Sequence, residues 1–193
     1  IVLTSLTNDS SMTIKNVNIN SSRKGVIIIL KKMGAKIVFK NKRLYKGELV
    51  ADIFVQGTRK LKSIDCPVKL NSSSIDEFLL IFLVAAKANG VSYFKNLSEL
   101  NQKESPRLKW GSKMLNLIGV KNELTSSSIK IFGNPEIEVK KKIVIKDYLK
   151  DHRIFMSSVI AALSFGGTWH IHNKDAPNTS FPNFLKVLQN LKK

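Results

Sequence analysis

The chain has 193 residues, of which 43% are hydrophobic and 24% charged, and its 10 glycines and 5 prolines are too few for a collagen-like or disordered protein. A single cysteine excludes an internal disulfide framework and a cysteine zinc site, and it favours a cytoplasmic protein. The longest apolar run, Phe78–Ala86, is far shorter than the roughly 18 to 20 residues of a membrane-spanning helix, so no membrane association is predicted.

The chain is strongly basic, with 32 Lys and Arg against 14 Asp and Glu, a formal net charge of +18. Such a charge attracts polyanions in general: nucleic acid, anionic lipid, or small phosphorylated and carboxylated molecules. The lysines are mostly scattered singly in a sequence rich in Asn and Ile. The charge therefore has two explanations, an anionic ligand or a lysine-biased proteome. Residues 1–11 lack the pattern of a secretory signal, and we expect the chain to begin within a longer coding sequence.

Five helices are predicted from apolar periodicity and from start signals, namely Ser or Asp at the N-cap and Pro at the first helical position. Three of these helices close on Gly34, Gly119 and Asn190, residue types that tolerate the left-handed conformation. In chain order, the predicted helices are 23–33, 75–89, 107–118, 152–164 and 181–191, preceded by Ser22, Ser74, Ser105 with Pro106, Asp151 and Ser180.

Internal similarity indicates a repeated α/β unit of about 75 residues. An alternating strand that ends in glycine, residues 53–57, recurs 76 positions later at residues 129–133. A helix end, a glycine stop and a strand, residues 85–96, recur 77 positions later at residues 162–173. The sequence therefore predicts an α/β fold built from repeats of one unit.

Charged residues fall within one turn of the start of four predicted helices. Helix N-termini carry unpaired N–H groups and the positive end of the helix dipole, so they bind phosphate and carboxylate. If the repeats pack with their helices pointing the same way, we expect these residues to meet on one face as an anion site with carboxylates and three arginines. They are Arg23, Lys24, Asp76, Glu77, Lys103, Glu104, Arg107, His152 and Arg153.

Several short segments resemble the enolpyruvylshikimate phosphate synthase family in their order and spacing, over essentially the whole chain. The related enolpyruvyl transferases that act on UDP-N-acetylglucosamine in cell-wall synthesis look less similar at the Lys-Glu-Ser and Asp-His-Arg segments. The segments that carry the resemblance are Met33-Gly34-Ala35, residues 47–53, Ile75-Asp76-Glu77, Lys103-Glu104-Ser105 with Arg107, Asp151-His152-Arg153, and residues 179–184.

The resemblance implies a fold of two similar lobes, each an inside-out α/β barrel of three repeated units with buried parallel helices and outer sheets. Residues 1–193 would form one nearly complete lobe, without the second lobe and without the extreme amino-terminal segment that carries a catalytic lysine in this family. The implied reaction is transfer of the enolpyruvyl group from phosphoenolpyruvate to the 5-hydroxyl of shikimate 3-phosphate, with release of phosphate, on the pathway to chorismate. We expect the intact protein to be a monomer that uses no metal or organic cofactor, and the chain alone to be inactive.

The resemblance also implies roles for three residues that would meet shikimate 3-phosphate or the reacting atoms. Asp76 resembles the carboxylate that hydrogen-bonds the 5-hydroxyl and is a candidate base for it. Lys103 resembles a lysine that contacts the same substrate. Glu104 resembles the carboxylate that handles the proton at the methylene carbon of phosphoenolpyruvate. Addition and elimination at an enol ether needs an acid for carbon and a base for oxygen, which carboxylates supply.

Two arginines and a histidine complete the implied site. Arg107 and Arg153 resemble the arginines that grip phosphoenolpyruvate, a role that suits the bidentate guanidinium group. His152 would lie beside them as a ligand or a proton relay. Neither arginine is expected in the apolar core, so removing one should change folding little.

Simpler interpretations exist for each residue. Asp76 could be no more than a helix-start residue that interacts favourably with the helix dipole. For Asp151 we expect this helix-start role and no other. Glu104 and Arg107 are three apart and could form a surface ion pair, and a lone histidine such as His152 is more often structural. Aromatic side chains on strands among lysines could imitate a base-stacking platform, so a basic RNA-binding module is an alternative function, although no RNA-binding signature is present.

Four positions depart from the family pattern. Pro106 stands where an aspartate usually follows Lys-Glu-Ser, and Asn101 where an arginine is common. Leu79 replaces a usual proline, and Thr179 occupies a place where some members carry a lysine for phosphoenolpyruvate. Pro106 is compatible with the start of a helix, but it removes a carboxylate near Arg107.

Overall fold

The computed structural model describes residues 1–191. None of the helices in this range has both the length and the hydropathy of a membrane-spanning segment. The α-helices are α1 Val2–Leu6, α2 Gly25–Lys32, α3 Phe78–Ala86, α4 Arg107–Ile118, α5 His152–Phe165 and α6 Phe184–Asn190. The strands are β1 Ser11–Asn18, β2 Lys36–Tyr45, β3 Glu48–Gln56, β4 Gly90–Phe94, β5 Asn122–Leu124, β6 Ile129–Gly133, β7 Lys142–Ile145 and β8 Thr168–Ile171.

The sheets confirm the repeat. Two antiparallel three-stranded sheets have the orders β1-β3-β2 and β4-β6-β5, and β7 pairs with β8 in parallel. The two segments that are 76 residues apart lie at the ends of the central strands: residues 53–56 end β3 and Gly57 follows it, and residues 129–133 form β6. Lys62 forms a parallel bridge to Asn89, just before β4, and Asp65 forms one to Tyr93 within β4. These bridges correspond to the parallel pairing of β7 with β8. The units thus share both sequence pattern and pairing.

Helix α3 lies at the centre of the molecule. It is apolar around its whole circumference, as expected of a helix without a solvent face, and eight of its nine residues are buried. It packs against α1, α2, α4, α5 and β6, and its rings Phe78 and Phe82 contact Phe94 of β4 at centroid distances of 6.0 and 5.3 Å. Because the sheets lie around the helices with one face exposed, the inside-out α/β arrangement is confirmed.

The predicted helix starts are right for two helices and wrong for three. Helices α4 and α5 begin at Arg107 and His152 as expected, and the Asp151 side chain caps α5 by accepting a hydrogen bond from the Arg153 N–H at 2.9 Å. The other three begin two to three residues later than predicted, after the 3-10 segments Ser21–Arg23, Ser72–Glu77 and Ala176–Thr179.

Serine does not provide the predicted caps, because its hydroxyl is used elsewhere. The Ser74 hydroxyl donates to the Leu70 carbonyl, and the Ser105 hydroxyl donates to Asp151. Near the first predicted start, the side chain of Asn20 accepts from the Ser22 N–H instead. A short hydroxyl finds several acceptors locally, so residue type alone does not decide which one it uses.

The predicted helix ends are also mixed. Gly34 and Gly119 have φ of +90° and +87°, which confirms their left-handed role. Asn190 belongs to α6 instead, and the following Leu191 is right-handed. The second predicted helix ends at Ala86 rather than at residue 89, and Gly90 starts β4.

The two repeated glycines share one packing role. A Cβ added at Gly57 would lie 1.8 Å from the Thr7 carbonyl oxygen, and one at Gly133 would lie 2.1 Å from that of Ala88. Both contacts join the end of a central strand to backbone at the end of a helix. A backbone carbonyl cannot turn aside as a flexible side chain can, so these positions require glycine.

We expect Gly57→Ala to lower the free energy of unfolding by about 3 kcal/mol, the upper part of the range for overpacking. Urea unfolding of the protein measures the effect. Gly47→Ala is the control, because a Cβ at Gly47 has no atom within 4 Å and its φ of +80° leaves only backbone strain, about 1 kcal/mol. Equal losses in both variants would mean that the close approach at Gly57 is unimportant.

Candidate active site

Four helix starts meet at one end of the molecule. The start of α2 packs on the segment before α3, where a Cβ at Gly25 would lie 2.3 Å from Ser73 Oγ. The starts of α3, α4 and α5 are joined by ion pairs through Arg107 and Arg153. The predicted convergence is therefore confirmed for Asp76, Glu104, Arg107 and Arg153, which lie on one face as the repeat architecture requires.

Arg107 is the centre of this charged cluster. Its side chain is only 2% exposed, and its guanidinium group binds carboxylates from three helix starts. Nε donates to Asp151 Oδ2 at 2.9 Å, Nη1 donates to Asp76 Oδ1 at 3.2 Å, and Nη2 donates to Glu104 and to Asp151 Oδ1. The expectation that Arg107 lies outside the core is wrong. Its Glu104 contact does occur, but as part of a network around a buried arginine rather than as an isolated surface pair.

Asp151 does more than start a helix, so that expectation is also wrong. Its side chain is fully buried and accepts hydrogen bonds from Arg107, from the Ser105 hydroxyl at 2.7 Å and from the Arg153 N–H. Burial alone would raise the pKa of Asp151, but the Arg107 and Ser105 hydrogen bonds outweigh it and hold the pKa below its usual range. Asp151 is thus the ionised partner that makes a buried Arg107 tolerable.

Arg153 links the start of α5 to the segment before α3. Its Nη2 lies 3.2 Å from Asp76 Oδ2, and its Nη1 donates to the Asp76 carbonyl oxygen at 2.8 Å and lies 3.5 Å from Glu77 Oε1. Arg153 and both acidic side chains are partly exposed. Asp76 therefore bridges the two arginines, one through each carboxylate oxygen.

Glu77 is a site residue to which the sequence analysis assigned no role beyond its place at a helix start. Burial raises its pKa first of all, Arg153 lowers it, and the neighbouring carboxylate of Asp76 raises it again, so that the pKa lies above the usual range of a glutamate. The signal that could have found it is its place beside Asp76 in the Ile-Asp-Glu segment.

A cleft of about 380 Å³ opens beside these residues. Arg23 lines it from the segment before α2, and Arg153 and Glu77 line it from the opposite helix starts. Its other lining residues are Ser22, Ser72, Ser73, Ile75 and Asp76. The cleft thus combines two guanidinium groups, two carboxylates and serine side chains, a set that can bind an anion and exchange protons with it.

Lys103 and His152 lie at the site but take no part in the arginine network. Lys103 Nζ pairs with Glu99 Oε1 at 2.9 Å in an i,i+4 contact. His152 is half-buried at the first position of α5, between Asp151 and Arg153. The substrate contact assigned to Lys103 and the ligand or proton-relay role assigned to His152 therefore stay predictions.

The fold is that of an enolpyruvyl transferase. The enolpyruvyl transferase NikO from Streptomyces tendae superimposes with a TM-score of 0.73 at 14% identity, covering 99% of this chain and 41% of that one, which shows the fold alone. A family model described as EPSP synthase (3-phosphoshikimate 1-carboxyvinyltransferase) matches residues 1–188. The chain belongs to the EPSP synthase family.

Individual relatives agree with this family. A 3-phosphoshikimate 1-carboxyvinyltransferase of Ruthia magnifica is 41% identical over 186 residues, which are 96% of this chain and 42% of that protein. One of Thermosynechococcus vestitus is 38% identical over 99% of this chain and 42% of that protein. The structure of EPSP synthase from Acinetobacter baumannii has a TM-score of 0.91 at 34% identity and covers 98% of this chain and 43% of that one. The chain thus spans about 42% of the length of these curated relatives.

Proposed function

We propose that the full-length protein to which this chain belongs transfers the enolpyruvyl group of phosphoenolpyruvate to the 5-hydroxyl of shikimate 3-phosphate and releases phosphate. Membership of the EPSP synthase family supports this reaction. The observation that carries the site is the binding of one buried arginine, Arg107, to Asp76, Glu104 and Asp151 at three separate helix starts. A structural ion pair would need only Arg107 and Asp151. This network also holds the partly exposed carboxylates of Asp76 and Glu104 at fixed positions beside a cleft.

The carboxylates of Asp76 and Glu104 carry the proton transfers in this proposal. Asp76 accepts the hydrogen bond of the 5-hydroxyl and serves as its base, and Glu104 delivers and removes the proton at the methylene carbon. Their side chains are 42% and 55% exposed, so a substrate can reach both. Positioned carboxylates of this kind supply general acid–base catalysis, and Lys103 contacts shikimate 3-phosphate from the same loop as Glu104.

Arginine side chains bind phosphoenolpyruvate in this proposal. Arg153, which is 29% exposed, offers its guanidinium edge to the substrate carboxylate or phosphate. Arg107 binds Asp151 through Nε and Nη2, and its Nη1 and Nη2 also bind Asp76 and Glu104, where they can share a substrate anion with these residues. His152 lies next to Arg153 as a ligand or proton relay.

We further propose that residues 1–193 form one nearly complete lobe, and that the site is completed by a second lobe and by an amino-terminal segment of the full-length protein. The coverage of 42% of the relatives supports this division. The third unit supports it too, since β8 is paired only with β7 in the described residues, whereas β4 and β6 lie in a three-stranded sheet. We propose a cytoplasmic monomer that needs no metal or organic cofactor.

A phosphate-release assay with both substrates tests the function. We expect the full-length protein to release phosphate only when phosphoenolpyruvate and shikimate 3-phosphate are both present. We expect the 193-residue chain to show no turnover, because positioning of the substrates by both lobes supplies much of the rate. A folded full-length protein without turnover would refute the function. Turnover by the chain alone would refute the proposal that a second lobe completes the site.

Filter binding to RNA at two salt concentrations tests the alternative function, a basic RNA-binding module, which predicts tight, salt-dependent binding.

A further inference from the structure

The contact between Glu77 and Arg153 blocks one edge of the arginine assigned to substrate. Glu77 Oε1 lies 3.5 Å from Arg153 Nη1, a longer contact than the 3.2 Å between Asp76 Oδ2 and Nη2. Glu77 also lines the cleft and is 34% exposed, so it can turn away without leaving a buried space. A carboxylate therefore lies, in a loose contact, on the guanidinium edge that an anionic ligand would approach.

The arginines in and beside the cleft already face carboxylates. Three arginines, Arg23, Arg107 and Arg153, face four carboxylates, those of Asp76, Glu77, Glu104 and Asp151. The hydrogen bonds of Asp151 stabilise its ionised form. Burial raises the pKa of Glu77 despite Arg153 beside it and Arg23 across the cleft, and the carboxylate of Asp76 raises it further. The surroundings of Glu77 therefore favour its protonated form, whereas those of Asp151 favour the ionised form.

We propose that Glu77 is a positioning residue that competes with the anionic substrate for Arg153 and is released, with uptake of one proton from solvent, when the substrate carboxylate or phosphate binds. This inference rests on the proposed function, in which Arg153 binds phosphoenolpyruvate. The step breaks only the ion pair: the glutamate becomes a neutral carboxylic acid, and the incoming anion replaces its charge on the guanidinium group. The residue thereby couples anion affinity to pH.

Sulfate is a suitable probe because it remains a dianion at every pH above the ordinary glutamate pKa of about 4.3, the side to which the pKa of Glu77 is raised. We expect the sulfate dissociation constant of the full-length protein, measured by calorimetry, to rise about two- to fivefold from pH 5.5 to pH 7.5, the effect of one partly exposed ion pair. Binding heats in two buffers of different ionisation enthalpy report the proton uptake directly. Arg153→Gln should abolish the binding.

The matched variant is Glu77→Gln, which keeps the shape and removes the charge. We expect it to bind sulfate at pH 7.5 as tightly as the unaltered protein does at pH 5.5, without proton uptake. The control Glu123→Gln removes an exposed carboxylate that pairs with Lys130 on another face, and it should leave the pH profile unchanged.

Three outcomes would overturn the inference: no sulfate binding in the unaltered protein, binding that survives Arg153→Gln, or a pH profile that survives Glu77→Gln. The last would mean that a group other than Glu77 governs the pH dependence. None of these measurements requires turnover. A protein that fails the phosphate-release assay but shows the Glu77-dependent profile would contradict the proposed reaction and leave the competition for Arg153 standing.

Discussion

Arg107→Met is expected to lower the free energy of unfolding by about 3 to 5 kcal/mol, the loss seen when one partner of a buried ion pair is removed. The variant leaves the fully buried Asp151 without its main counter-ion, and Asp76 and Glu104 lose the group that holds them beside each other. Methionine fills much of the space of the arginine stem, so the loss reports charge rather than a cavity. Urea unfolding measures it.

A double-mutant cycle separates the network from ordinary packing. Asp151→Asn keeps an oxygen that can cap α5, because asparagine is an equally good N-cap, and removes the charge. We expect the double variant Arg107→Met with Asp151→Asn to be more stable than the sum of the two single losses predicts. Lys103→Met is the control, because the exposed pair with Glu99 contributes at most about 0.5 kcal/mol. An Arg107→Met loss as small as the control would contradict a structural role for Arg107.

Glu104→Gln and Asp76→Asn should each reduce kcat of the full-length protein by about 10² to 10⁴, the usual contribution of general acid–base catalysis. Glu104 acts at the reacting carbon, so its loss should leave the KM values nearly unchanged. Asp76 contacts the 5-hydroxyl, so its loss should also raise KM for shikimate 3-phosphate. Steady-state kinetics on both substrates distinguishes these patterns.

The control for both variants is Glu138→Gln, an exposed carboxylate that lies 3.8 Å from Lys140 away from the cleft. Its kinetics should match those of the unaltered protein. Asp76 and Glu104 are partly exposed, so circular dichroism of both variants should match as well. If kcat fell by less than about threefold in both variants, neither carboxylate could carry the proton transfers assigned to it.

Local patterns predicted the parts of the fold that depend on neighbouring residues. The alternating strands that lead up to Gly57 and Gly133, the start of α4 after Pro106, and the cap of α5 by Asp151 all follow from a few consecutive side chains. The repeat added one long-range prediction, because similar units pack in similar ways, and the charged helix starts do meet on one face. The family assignment followed from the same ordered segments.

Only the tertiary structure showed what each charged residue at the helix starts contacts. Arg107 is separated in sequence from Asp76 by 31 positions and from Asp151 by 44, and no local pattern distinguishes a buried arginine network from a solvated helix start. The same limit applies to Ser105, whose hydroxyl bonds to Asp151, 46 positions away, instead of capping its own helix. Capping preferences act within one turn at about 1 kcal/mol, whereas an uncompensated buried charge costs several times as much. Long-range burial therefore overrides the local preference, and only the packed helices reveal where it does so.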